Sequence, residues 1–125
     1  MQDINKVENN VSEIKDKFRK DILSKRANLN KELRIELSRK IIENFCSTSF
    51  YKSFDFKDKN ISLYNSFKGE PELNVLRDIF ISKGANCYYP ITYDNIIVME
   101  KYYPENGDGQ FVSGKLGIME PKLKE

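Results

Sequence analysis

The sequence predicts an α/β chain in which two N-terminal helices lead into a strand–helix–strand unit with parallel strands. Three observations carry this. Apolar residues recur at spacings of three and four through the first 45 positions, the period of a helix with one packed face. Beyond residue 60 the pattern breaks into two apolar runs of strand length with one helical stretch between them. The joins are short, so the two strands pair in parallel through a right-handed crossover.

The first helix is read from Ile4, Val7, Val11, Ile14, Phe18 and Ile22. Asn28-Leu29-Asn30 interrupts it, and Asn30 is placed to cap a second helix that carries Leu33, Leu37, Ile41 and Phe45 at four-residue steps. Residues 47–60 read as a loop that Tyr51, Phe54 and Phe56 pin to the body. Residues 61–64 form a strand. A helix over 71–83 follows, with Leu73, Leu76 and Phe80 on one face. Pro71 in its first turn and Gly84 just past its end match the proline-in, glycine-out asymmetry of helices. Residues 85–91 form the second strand, closed by Pro90, and 95–102 a third. Residues 104–109 are an exposed turn.

The length, 125 residues, is that of a single domain spanning 1–125. There is no histidine, which removes every histidine-based triad and every histidine-ligated metal site. Cys46 and Cys87 are far apart and match no metal or redox spacing, so both are read as reduced, packed thiols. That reading, with an N-terminus lacking the layout of a signal peptide, points to the cytoplasm. No apolar run approaches the roughly 20 residues of a membrane span. Residues 1–60 carry 14 Lys and Arg against 10 Asp and Glu, and residues 61–125 carry 7 against 9. So mild a basic bias does not make a nucleic-acid face, which needs concentrated charge with stacking aromatics. It suits a small polyanion such as a nucleotide, or simply solvated helix faces.

Two places invite chemistry. In ISLYNSFKGEPELNVLRDIF, residues 61–80, Glu70 falls where a parallel strand hands over to a helix, at the sheet edge where open α/β folds bind ligands. A carboxylate there accepts N–H donors, so it suits a ligand bearing amino groups. Alternatively, Glu70 and Glu72 only favour a helix N-terminus, worth about 0.3–1 kcal/mol. At about 100° per residue, Lys15, Arg19 and Arg26 share a strip bordering the apolar face of the first helix, between Ile22 and Leu23. They either point into a cleft or cover apolar surface with their stems.

Taken in order, KDKFRKDILSKRANL at 15–29, LYNSFKGEPELNVL at 63–76, YYP at 88–90 and GKLGIMEP at 114–121 form a pattern. It resembles that of the 5-formyltetrahydrofolate cyclo-ligases, also called methenyltetrahydrofolate synthetases. Those enzymes carry a K-x-x-[LF]-R helix and an R-x-x-L turn. Next come a Y-x-S-x-x-x-E strand end, a strand ending in Pro, and G-I-x-E-P. The resemblance implies a three-layer α/β/α sandwich with a mainly parallel sheet, related to sugar-phosphate isomerases and CoA transferases. It implies an ATP- and Mg2+-dependent ligase that converts 5-formyltetrahydrofolate into 5,10-methenyltetrahydrofolate. By the same resemblance Lys15 and Arg19 contact ATP, and Asn65 and Glu70 line the folate site. The family continues into a G-x-G-x-G-Y-Y-D loop that wraps the phosphates, and these 125 residues contain no such run. The expectation is therefore a C-terminally shortened cyclo-ligase with no metal ligand in this chain. The alternatives are a non-catalytic folate-binding or interaction module, and a partial chain that self-associates through an open sheet edge to complete its ATP site.

Overall fold

The computed structural model describes residues 4–122. Helix α1 (Ile4–Ala27) ends at the predicted interruption, and Lys25 and Arg26 in its last turn offset the negative end of its dipole. Helix α2 (Lys31–Cys46) starts as expected: the Asn30 side chain accepts the Leu33 N–H at 2.7 Å. The apolar stripe of α1 is regular but uncovered. Val7, Val11, Ile14, Phe18 and Ile22 are all exposed, Phe18 by 67%.

The loop expected over 47–60 contains a short helix, α3 (Ser49–Ser53), capped by the Thr48 hydroxyl accepting the Tyr51 N–H at 3.2 Å. Five residues are too few for a helical period to be read, which is why no pattern in the sequence marks it. The pinning role of the aromatics holds: Tyr51 and Phe54 both pack against Phe56, which is buried.

Strand β1 (Asn60–Ser62) pairs in parallel with β2 (Asn86–Thr92), Asn60 opposite Asn86 and Ser62 opposite Tyr88. The helix between them, α4 (Asn74–Ser82), begins later than expected. Pro71 and Glu72 lie outside it, in a segment where the Glu72 N–H donates to the Ser38 hydroxyl of α2 at 2.9 Å and the Glu72 carboxylate takes the Asn74 N–H, the first of the helix, at 3.1 Å. The exit is as predicted, with Gly84 at φ +89.

Pro90 does not close β2 but sits inside it. Along β2 the even-numbered residues face β1: Leu63 N–H donates to Tyr88 O at 2.8 Å, and Asn86 N–H to Lys59 O at 2.8 Å. Position 90 points the same way, beyond the last β1 residue, so no ladder bond is lost there. Strand β3 (Ile97–Lys101) pairs antiparallel with β2, turned by the Tyr93 N–H bond to Ile96 O at 2.9 Å. The α/β class is borne out. The described three-stranded sheet, ordered β1-β2-β3, is mixed, with one parallel and one antiparallel pairing.

The exposed turn over 104–109 resolves into two single 3₁₀ turns, Pro104–Asn106 and Asp108–Gln110. Beyond them β4 (Phe111–Ser113) and β5 (Met119–Pro121) form an antiparallel hairpin that the sequence did not announce. Cys87, Tyr89 and Ile91 alternate into the core from β2. Cys87 and Tyr89 cluster there with Phe56, Leu63, Phe80 and Tyr102. Fully burying each apolar side chain of that size contributes about 1.5–3 kcal/mol. Both cysteines are free thiols; Cys87 is buried and Cys46 partly so. No described helix is long and apolar enough to cross a membrane.

Candidate functional site

The site is the loop from Leu63 to Leu73, which leaves the sheet at the carboxyl end of β1. Its positive-φ pair, Lys68 at +49 and Gly69 at +79, reverses the chain so that Glu70 turns back toward β1. The Glu70 carboxylate accepts the Phe67 N–H at 3.0 Å, and the Glu70 N–H reaches Phe67 O at 3.3 Å. Gly69 passes directly over the end of α1: a Cβ there would stand 2.5 Å from the Arg26 carbonyl oxygen. Glycine is therefore required twice, for its φ and for the approach.

Two further contacts fix the loop from outside, and a third ties it to itself. Asn65 Nδ2 donates to Met119 O at 2.9 Å, tying the loop to β5. Buried Ser38 of α2 takes the Glu72 N–H and itself donates to Arg34 O at 2.8 Å. Ser66 donates to the second oxygen of Glu72 at 3.1 Å. Tyr64 marks the electrostatics of the place. Burial first, then the Glu70 carboxylate, push its phenol above the ordinary tyrosine range, and Arg26 opposes the rise. Tyr64, Glu70 and Arg26 thus share one neighbourhood.

Of the residues singled out in the sequence, Asn65 and Glu70 come together on this loop. Arg19 lies on exposed α1 with its guanidinium 2.9 Å from Asp16. A groove of about 440 Å³ runs from Phe18 and Arg19 to Arg26. A second, of about 590 Å³, runs from Arg26 and Arg34 to Lys68 and Gly69. The two grooves adjoin at Leu23 and Arg26, one reaching Arg19 and the other reaching Lys68 and Gly69 of the Glu70 loop. Lys15 lines neither groove.

Sequence reasoning missed Ser38, Arg34 and Glu120. The Glu120 carboxylate of G-I-M-E-P accepts the Thr92 N–H at 2.6 Å and so joins β5 to the end of β2. No local pattern marks a serine whose partner is 34 residues away or an arginine that lines a groove with Lys68 and Gly69; only Glu120 had a signal, its place in the motif. Among the described residues no group of three or more acidic or cysteine side chains could hold a metal ion.

The chain is thus an α/β unit that presents a held carboxylate at a strand's carboxyl end, the edge at which open α/β folds take ligands, with Arg19, Arg26 and Arg34 lining two adjoining grooves. Comparison with known proteins gives the family. The profile of the 5-formyltetrahydrofolate cyclo-ligase family matches residues 11–125, and the chain belongs to that family. Among solved structures it is similar to the NMR structure of Aquifex aeolicus 5,10-methenyltetrahydrofolate synthetase, at 32% identity and a TM-score of 0.65. That match covers 90% of this chain and 54% of the other. It also shares its fold with a 5,10-methenyltetrahydrofolate synthetase from Mycoplasma pneumoniae, at 22% identity and a TM-score of 0.57, covering 74% of this chain and 58% of that one. The chain thus spans little more than half the length of either. No curated protein matches it significantly.

Proposed function

We propose that the chain serves the ATP-dependent cyclisation of 5-formyltetrahydrofolate to 5,10-methenyltetrahydrofolate, and that the Glu70 loop is its folate subsite. The observation that carries the reading is the braced Glu70 carboxylate in a chain of this family. A carboxylate offers only acceptor sites, so it pairs with the ring N–H and amino groups of a pterin and not with phosphate. Asn65 spends its N–H on Met119 and keeps its amide oxygen for the ligand.

In this reaction the formyl oxygen is a poor leaving group until it receives a phosphoryl group from ATP. N10 of the folate then attacks the activated carbon, the new C–N bond closes the ring, and phosphate departs with the former formyl oxygen. The protein's share is to align N10 with that carbon and to offset charge on the transferring group. Lys15 and Arg19 are the proposed phosphate contacts. Arg19 must exchange Asp16 for the nucleotide, a cheap step, since an exposed ion pair contributes only about 0–1 kcal/mol. Among the described residues no group of three or more acidic or cysteine side chains could hold a metal ion by itself, so magnesium would enter on the ATP phosphates and would offset their charge there.

A second reading, folate binding without turnover, is favoured by the uneven bracing: Glu70 is held in place while Lys15 and Arg19 stand on open helix surface. One pair of measurements separates the two. Calorimetric titration with 5-formyltetrahydrofolate should show binding that Glu70→Gln weakens tenfold or more, the loss of a charge-assisted hydrogen bond. Absorbance of the methenyl product with ATP and magnesium then reports turnover. Binding without product supports the module; binding unchanged in Glu70→Gln removes the assigned subsite.

A further inference from the structure

We propose that the groove between the end of α1 and the start of α2 is an oxyanion-binding site, taking a phosphate or a carboxylate group on Arg26, Arg34 and Lys68. The groove encloses about 590 Å³, within the range of about 300–1,000 Å³ common for small-molecule sites. Three of its lining residues are cationic and none is acidic; the one other polar side chain on its walls is Ser24. Among the described residues neither Arg26, Arg34 nor Lys68 has a carboxylate within ion-pair distance. Arg19 and Arg77, by contrast, each have one, and Arg39 has two.

A second, independent observation points to a ligand. The Nε atoms of both Arg26 and Arg34 are closed off from solvent and have no hydrogen-bond partner. Buried donors are almost always satisfied, and one left unpaired is destabilising. Both guanidinium groups belong to residues that line one groove and have this donor unmatched by the protein, and a planar or tetrahedral oxyanion entering the groove fits the arginine fork once the side chains turn toward it. Lys68, above the Phe67 ring, brings a third charge from the opposite wall. The Gly69 approach to Arg26 holds that wall in place. The groove borders the proposed folate loop through Lys68 and Gly69, but anion binding needs neither folate nor turnover, so its titration is read independently of the proposed function.

The test is calorimetric titration at low ionic strength with two probes, tripolyphosphate and citrate, against wild type, Arg34→Gln, Arg26→Gln and Arg39→Gln. Arg39→Gln removes the same charge from α2, but Arg39 engages Glu36 and Glu43 away from the groove. Saturable binding of at least one probe is expected, weakened about tenfold or more by Arg34→Gln or Arg26→Gln and less than about twofold by Arg39→Gln. The tighter probe identifies phosphate or carboxylate as the group recognised. No saturable binding to wild type, or equal weakening by all three variants, overturns the proposal. Wild-type binding is read directly, so a variant that fails to fold leaves that result intact.

Discussion

Replacing Gly69 by alanine should cost more than replacing Gly84, although both glycines have similar backbone angles. Gly69 has φ +79 and Gly84 has φ +89, so alanine at either position meets the left-handed penalty of about 1–2 kcal/mol. Alanine also restricts the unfolded chain, which returns about 0.4–1 kcal/mol at each site. These contributions leave about 1 kcal/mol of destabilisation common to both. The surroundings then separate them. At Gly84 the nearest atoms are Lys57 Cα and Cγ, both at 3.5 Å, ordinary contact distance. At Gly69 a Cβ would lie 2.5 Å from Arg26 O and 2.8 Å from Arg26 C, and helix backbone cannot swing aside as a side chain does. Overpacking of that kind adds about 1–3 kcal/mol. Urea unfolding should therefore place Gly69→Ala about 1 kcal/mol or more below Gly84→Ala. Equal stabilities would mean that the loop does not lie on the end of α1, and the geometry given for Glu70 would go with it.

Ser38→Ala should lower stability by about 1–3 kcal/mol in the same assay, since it strips the acceptor from the Glu72 N–H; a change below about 0.5 kcal/mol would contradict that bond. Stability should also fall at alkaline pH. Burial pushes the Cys87 thiol up to about 11 and the Tyr89 phenol up to about 12. A group with a raised folded-state pKa contributes stability that is whole below its unfolded pKa and lost as pH climbs through the folded one. The ordinary values are 9.0 and 10.0, so denaturant midpoints should be flat with respect to these groups up to about pH 9 and decline toward about pH 12. Tyr89→Phe should remove the upper part of the decline and cost little at neutral pH. The Tyr89 hydroxyl stands near Arg77 but has no partner at hydrogen-bonding geometry, so its removal orphans nothing. An unchanged alkaline limb in that variant would refute the assignment.

What could be read from the sequence follows the range of the forces involved. The cap at Asn30, the crossover from β1 to β2 and the glycine after α4 depend on short-range signals, and all three hold. The misplaced start of α4 goes with a distant contact. Pro71 is locally a good first-turn residue, but the segment it opens is anchored to Ser38, far back on α2, through the Glu72 N–H, and the helix begins only at Asn74. The β4–β5 hairpin escaped for a related reason: strands of three residues carry too little alternation to register. Glu70 could be found because its position relative to a strand and a helix is itself the signal. The contacts that make it a fixed acceptor come from Arg26, Ser38 and Met119, which no window around residue 70 contains.

The same contacts explain why the two halves of the candidate site differ in readiness. The Glu70 loop is held by α1 backbone, by an α2 side chain and by β5, so a ligand meeting it does not also have to order it, and little binding energy is lost to conformational entropy. Lys15 and Arg19 lie where α1 has no cover, on a helix whose Val11, Ile14 and Phe18 are still in water. Long cationic side chains in that setting sample many rotamers, and each must be immobilised when a phosphate arrives. The subsite proposed for the folate ring is therefore the preordered part of the described fold. Grip on a nucleotide by Lys15 and Arg19 must meet that entropic cost in full, so under the proposed function folate affinity should be found at the Glu70 loop before nucleotide affinity is found at these two residues.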